Sequence, residues 1–183
     1  MSDRENLRDL IDQLAIQRGE FTLASGAKAS YYIDCRKVTL DSMGAHLIGK
    51  LIYEKLAEHE FPQAVGGMAI GADPITGAVV AHAGSEGKQL SGFIVRKEEK
   101  NHGTGKMVEG PISEGQASVI LEDVVTTGGS SLRAIQLAQE AGLKIRKIIC
   151  IVDRLAGGRE AFEEMGLGFE SLFTIEDFGL ANQ

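Results

Sequence analysis

From residue 64 onward, short continuous apolar runs alternate with stretches of helical periodicity, and this alternation leaves the chain few folds to choose from. The runs are AVGGMAIGA (64–72), SGFIVRK (91–97), ASVILEDVV (117–125), IRKIICIVDR (145–154) and FESLFTI (169–175). Helical patterns lie between them, from about Pro74 to Ala83, over SLRAIQLAQEA from Ser131 to Ala141, and near 158–165. Strands that are apolar at nearly every position are covered on both faces, and the intervening helices return the chain to begin the next parallel strand. The expected fold class is α/β, a Rossmann-like open parallel sheet with helices on both faces. Ligands then sit in the crevice beyond the strands' C-terminal ends.

The first part of the chain reads differently. Ser2 followed by Glu5 forms a capping box, and Leu7, Leu10, Ile11 and Leu14 recur with helical spacing, so a helix is expected over 3–17. Phe21–Leu23 and Tyr31–Cys35 are β-prone runs separated by the turn-rich SGAKAS, which predicts a hairpin or ribbon. Asp41 is placed to cap a helix running to about Glu58, with Leu47, Ile48, Leu51, Ile52 and Leu56 as its buried stripe. At 183 residues the chain suits one domain over 1–183, with 1–40 as a hood-like segment on a 41–183 core. The stretch GAHLIGK (44–50) fits a phosphate-loop pattern, yet Leu51 replaces the required Ser or Thr and the stretch lies inside the amphipathic helix.

Twenty-six acidic residues against nineteen basic ones give a formal charge of -7, which argues against nucleic acid or an anionic membrane surface as partner. No run approaches the roughly 18 apolar residues of a membrane span. The charged opening MSDRENLRDL is unlike a secretory signal, so a cytoplasmic enzyme or binding protein is expected. The two cysteines, Cys35 and Cys150, stand in strand-like apolar contexts, and the four histidines, His46, His59, His82 and His102, lack metal-ligand spacing, so no protein metal cage is expected.

The segment Val119–Ser131 carries the clearest chemistry: an apolar strand, two acids, a hydroxyl and glycine loop, then a helix. A helix N-terminus leaves backbone N–H groups unpaired and positive, which suits a phosphate. Thr126, Thr127 and Ser130 add hydroxyls, Gly128 and Gly129 let the backbone wrap closely, and Glu122 and Asp123 are positioned to accept sugar hydroxyls. A ribose phosphate fits this order of groups; a capped turn with solvated acids is the alternative. The segment Arg96–Lys106 (RKEEKNHGTGK) is basic within an acidic protein and glycine-bearing, which suits a lid that neutralises a diphosphate, or a solvated loop. Gly66–Pro74 ends a strand in a turn that suits an anion at its amides, or is a plain strand–helix connection. Arg154, after IICIVD, offers a guanidinium fork for a carboxylate, or an ion pair with Asp153 or Glu160.

Paired acids and TTGGS with a basic lid on such a sheet resemble the type I phosphoribosyltransferases. FTLASGAKASYYID (21–34), RKEEKNHGTG (96–105) and IVDR (151–154) narrow the resemblance to the orotate phosphoribosyltransferase family. The resemblance implies an N-terminal helix and β-ribbon subdomain beside the sheet. It also implies transfer of the phosphoribosyl group of 5-phosphoribosyl 1-diphosphate (PRPP) to orotate, with Mg2+ held mainly through PRPP and water. In its terms Arg96, Lys97, Lys100, His102 and the stretch Glu122, Asp123, Val124, Val125, Thr126, Thr127, Gly128, Gly129 and Ser130 bind PRPP. Lys100, His102 and Asp123 are catalytic, Thr126 and Arg154 contact orotate, and the backbone near Tyr32 and Ile33 reads the pyrimidine edge. It further implies a homodimer whose lid reaches the neighbouring site. Many relatives carry lysine where this chain has Ala24, so that charge contact is missing or supplied elsewhere, Lys28 being one candidate. A different PRPP-dependent base transferase, or a pyrimidine-binding regulator without turnover, is the alternative reading.

Overall fold

The computed structural model describes residues 2–22, 28–98 and 106–181. It begins with α1 (Asp3–Leu10), where the Glu5 N–H donates to the Ser2 hydroxyl and the Ser2 N–H donates to the Glu5 carboxylate, the expected capping box. A π-helical turn over Ile11–Ala15 ends this helix short of residue 17, and Ile16 already begins β1 (Ile16–Thr22). β1 pairs antiparallel with β2 (Lys28–Ile33), so the expected ribbon forms but starts well before Phe21. Cys35, expected in a strand, instead lies buried in the turn before the short helix α2 (Arg36–Thr39). The cause is local: the Asp34 carboxylate accepts the Arg36 backbone N–H at 3.2 Å, an Asx turn that bends the chain out of the ribbon. In α3 (Ser42–Ala57) the Asp41 carboxylate accepts from the N–H groups of Met43 and Gly44, as its cap position requires. The phosphate-loop lookalike at 44–50 is therefore helix interior.

The main sheet follows: β3 (Ala64–Met68), α4 (Ala72–Ser85), β4 (Ser91–Val95), β5 (Val108–Glu109), β6 (Ala117–Val125), α5 (Gly129–Glu140), β7 (Lys144–Asp153), α6 (Gly158–Glu164) and β8 (Gly168–Thr174). Its order is β5-β4-β3-β6-β7-β8, parallel throughout except for β5, which runs antiparallel along the β4 edge. β5 falls in a stretch the sequence presents as loop; two residues are too few to show a strand period. From β3 the chain moves outward through β4, then returns to place β6 on the other side of β3. Connections therefore leave β3 and β6 in opposite directions, and their C-terminal ends flank a topological switch point.

Burial follows the strand period. Val119 and Leu121 of β6 and Ile149 and Ile151 of β7 face one core with Leu47, Ile48 and Ile52 of α3, Ile75 and Val79 of α4, and Leu7 and Ile11 of the N-terminal helix. Ile120, Ile148 and Cys150 face the other core with Ala134, Ile135 and Ala138 of α5 and Phe162 of α6. Two covered faces are why these strands read as continuous apolar runs rather than alternating ones. Among the described residues no helix is long and apolar enough to cross a membrane.

Candidate active site

β6 runs buried through Leu121, presents Glu122 and Asp123 at the switch point, and ends on Val124 and the buried Val125. Glu122 is only 4% exposed, and both its serine bonds end on one oxygen: Ser130 Oγ donates to Oε2 at 2.7 Å and Ser131 Oγ at 2.9 Å. Burial pushes this carboxyl up to about 7, helped by the negative charge of Asp123, while the two hydroxyl donors pull the other way. Asp123 is half-buried, and its Oδ1 accepts the Val124 N–H at 2.9 Å.

The chain then turns through Thr126 and Thr127 to Gly128, whose φ of 82° is left-handed and favours glycine. Gly128 caps α5 with no side-chain hydrogen bond, so the first amides of the helix stay open. The turn is braced from the β7–α6 side. The Gly158 N–H donates to Thr126 O at 3.1 Å, the Arg154 N–H to Val125 O at 2.9 Å, and a Cβ on Gly128 would stand 2.9 Å from the Phe162 ring. Open amides, a positive helix end and two carboxylates within one turn form a cradle for an anion attached to a hydroxylated group.

A crevice of about 340 Å³ opens over this cradle, within the size range of small-molecule sites. Four parts of the chain line it: Glu122, Asp123, Val124 and Ser130; the β3–α4 turn Met68–Gly71; Lys97 after β4; and Tyr32, Ile33, Asp34 and Arg36 from the ribbon and its exit. The β3–α4 turn comes close to the acids, since a Cβ on Gly71 would lie 3.0 Å from Asp123 Oδ1.

The expected residues divide. Glu122, Asp123, Val124, Ser130 and Lys97 meet at the crevice, and Tyr32 and Ile33 line it too. Val125 is buried behind it, and Thr126, Thr127, Gly128 and Gly129 form the turn at its end. Arg96 is drawn away: its Nη1 bonds Glu109 on β5 at 3.0 Å and its backbone N–H bonds Met107 O at 2.8 Å. Arg154 pairs with neither Asp153 nor Glu160; its Nε donates to the Tyr31 hydroxyl at 3.2 Å and its guanidinium carbon lies 5.0 Å from the centre of that ring. Lys28 lies at the start of β2 and does not line the crevice, while Ala24, Lys100 and His102 fall outside the described residues. Three contributors escaped the sequence reading: Ser131, Gly158 and the Asp34–Arg36 pair. Only the last left a trace, an acid and a base two apart just after a strand.

Among the described residues no three His, Cys, Asp or Glu side chains converge as a metal cage. Asp123, half-buried at the crevice, fits an ion that arrives already held by phosphate oxygens and water, the habit of magnesium.

Comparison with known proteins agrees with this geometry. The phosphoribosyl transferase domain family matches residues 41–164. A curated orotate phosphoribosyltransferase of Rhodopirellula baltica is 53% identical over 176 residues, spanning 93% of this chain and 91% of that protein. One from Thermosynechococcus vestitus is 45% identical over 175 residues, spanning 95% and 92%. Among solved structures, the Mycobacterium tuberculosis H37Rv orotate phosphoribosyltransferase in complex with PRPP superposes with a TM-score of 0.84 at 36% identity, covering 98% of this chain and all of that one.

Proposed function

The chain belongs to the orotate phosphoribosyltransferase family of type I phosphoribosyltransferases, and from that premise we propose that it transfers the phosphoribosyl group of PRPP to orotate, releasing pyrophosphate and orotidine 5'-monophosphate. That it is a PRPP-dependent transferase follows from the family; orotate as the acceptor is our reading. One observation supports it above the rest: the buried Glu122 and its neighbour Asp123 stand one turn from the uncapped amides of α5, at a sheet switch point. No other arrangement in the described residues suits a ribose 5-phosphate so directly.

In this reading the α5 amides and the Thr126–Ser130 turn hold the 5-phosphate. Asp123 and the second oxygen of Glu122 accept the ribose hydroxyls. The sugar is thereby fixed with C1 toward the middle of the crevice, where the backbone of Tyr32 and Ile33 meets the pyrimidine. Cleavage of the C1–diphosphate bond leaves positive charge on the sugar and negative charge on the departing group. Lys97, with Lys100 and His102 of the lid, stabilises that anion, and Mg2+ carried on PRPP lowers its charge further. Orotate is already anionic, so the protein's task is to align it with C1 and exclude water rather than to supply a strong base. Arg96 reaches the diphosphate only by exchanging Glu109 for it. Arg154 and Thr126 border the pyrimidine side, with Tyr31 holding the guanidinium in place. We read residues 1–40 as a hood on a 41–183 core, and the working unit as a cytoplasmic homodimer in which Lys100 and His102 serve the neighbouring site.

The test is loss of orotate absorbance in the presence of the protein. Loss that requires both PRPP and magnesium supports the reading. Turnover with adenine or hypoxanthine but not orotate replaces it with another base transferase, and tight nucleotide binding without turnover replaces it with a regulator.

A further inference from the structure

The crevice lining includes a cation to which neither the motifs nor the proposed mechanism gives a role. Arg36 stands at the start of α2, where the chain leaves the ribbon, and it lines the crevice together with Asp34, Lys97 and Asp123. Its guanidinium is held rather than loose: Nε donates to Asp34 Oδ1 at 2.8 Å and Nη2 to Asp34 Oδ2 at 3.1 Å. The Asx turn at Asp34 fixes the backbone of the same residue. Two of its five N–H donors are thus engaged on a side chain that is half-exposed, which leaves three for a ligand. Asp34 itself is only 19% exposed and has both carboxylate oxygens on Arg36, so the pair brings an oriented fork to the crevice and little net charge.

An exposed ion pair two residues apart in a turn is ordinarily worth little to stability. Its position gives it another use. Arg36 and Lys97 are the two cations lining the crevice among the described residues, and they reach it from different elements, the ribbon exit and the end of β4. Neither belongs to the α5 turn, which in the proposed reading takes the 5-phosphate. A substrate with oxyanions at two ends therefore meets positive groups at both. A fork already ordered by Asp34 loses little rotamer freedom when it grips oxygen, which is the advantage of arginine over a flexible lysine.

We propose that Arg36 is a binding residue for the diphosphate of PRPP, with Asp34 as the residue that positions it. This rests on the proposed placement of PRPP, with its 5-phosphate at α5. Orotate also carries an oxyanion, its carboxylate, but two cations lining one crevice suit the more highly charged group better.

The test is calorimetric titration of wild-type, Arg36→Gln, Asp34→Asn and the Asp34→Asn/Arg36→Gln double variant with PRPP plus magnesium and with magnesium pyrophosphate. Orotate KM is measured alongside, and circular dichroism checks folding. Loss of a charge-assisted bond predicts affinities weaker by about tenfold to a hundredfold for both ligands in Arg36→Gln and in the double variant. Asp34→Asn, which loosens the fork, should weaken both ligands by about twofold to tenfold, less than Arg36→Gln does, and unchanged affinity there would remove Asp34 from the proposal. Recovery of wild-type affinity in the double variant would mean that Arg36 only masks Asp34, and would overturn the proposal. So would unchanged affinity in Arg36→Gln, or an effect confined to orotate KM. Wild-type protein that binds PRPP yet consumes no orotate would refute the acceptor assignment and leave the Arg36 comparison readable.

Discussion

Glu122→Gln is expected to make the ligand-free protein more stable at pH 8 while weakening its hold on PRPP. Burial, with the charge of Asp123, raises the Glu122 carboxyl from 4.5 to about 7 against the opposing pull of the two serine hydroxyls. The unfolded chain ionises this group near 4.5, whereas the folded protein resists ionisation until about pH 7. Between those limits the folded state binds more protons than the unfolded one, so this residue's contribution to stability falls as pH rises and levels off above 7. At 1.36 kcal/mol per pH unit the ionised carboxylate costs about 3 kcal/mol at pH 8, and under about 1 kcal/mol at pH 5. Glutamine keeps the shape without the charge and removes most of that cost. For a chain of 183 residues, about 3 kcal/mol corresponds to a Tm increase of roughly 6–12 °C. Scanning calorimetry of both proteins at pH 5 and pH 8 measures it, and taking the difference cancels every other titrating group. In the same variant PRPP should bind at least about tenfold more weakly, because an amide nitrogen then competes for the place of an acceptor. A stability gap no larger at pH 8 than at pH 5 would refute the reasoning, since it would mean that the carboxylate is well solvated in the folded state.

Ser131→Ala removes one of the two donors on Glu122, so the carboxyl should rise further and the acid limb of kcat/KM for PRPP should move to higher pH. Ser131→Thr, which keeps the hydroxyl, should restore the profile, and a shift that persists in the threonine variant would assign Ser131 to packing alone. In Gly158→Ala the new Cβ would stand 2.3 Å from Val125 Cγ1 and 3.0 Å from Thr126 O, so the phosphate turn must shift. Overpacking of this kind costs about 1–3 kcal/mol, and KM for PRPP should rise with little change in KM for orotate. A parallel rise in both would place the disturbance outside the phosphate end.

Local features of the chain were enough to determine the strand–acid–glycine–helix order at Val119–Ser131, the Asp41 cap, the Ser2–Glu5 box and the α/β class. Each depends on groups within a few residues of one another, through capping bonds, strand period or glycine's access to positive φ. The apolar runs also reported their own burial on two faces, because a strand covered on both sides has no polar face to display. Partners far apart along the chain were another matter. That Arg96 turns to Glu109 and Arg154 to Tyr31, that Gly158 and Phe162 brace the phosphate turn, and that β6 lies beside β3 depend on which strand edges meet. The same holds for Arg36, whose neighbours in sequence point only to a turn. Tertiary structure alone sets the ribbon exit against the ends of β3, β4 and β6, and a charge becomes part of a site through the groups that share its space.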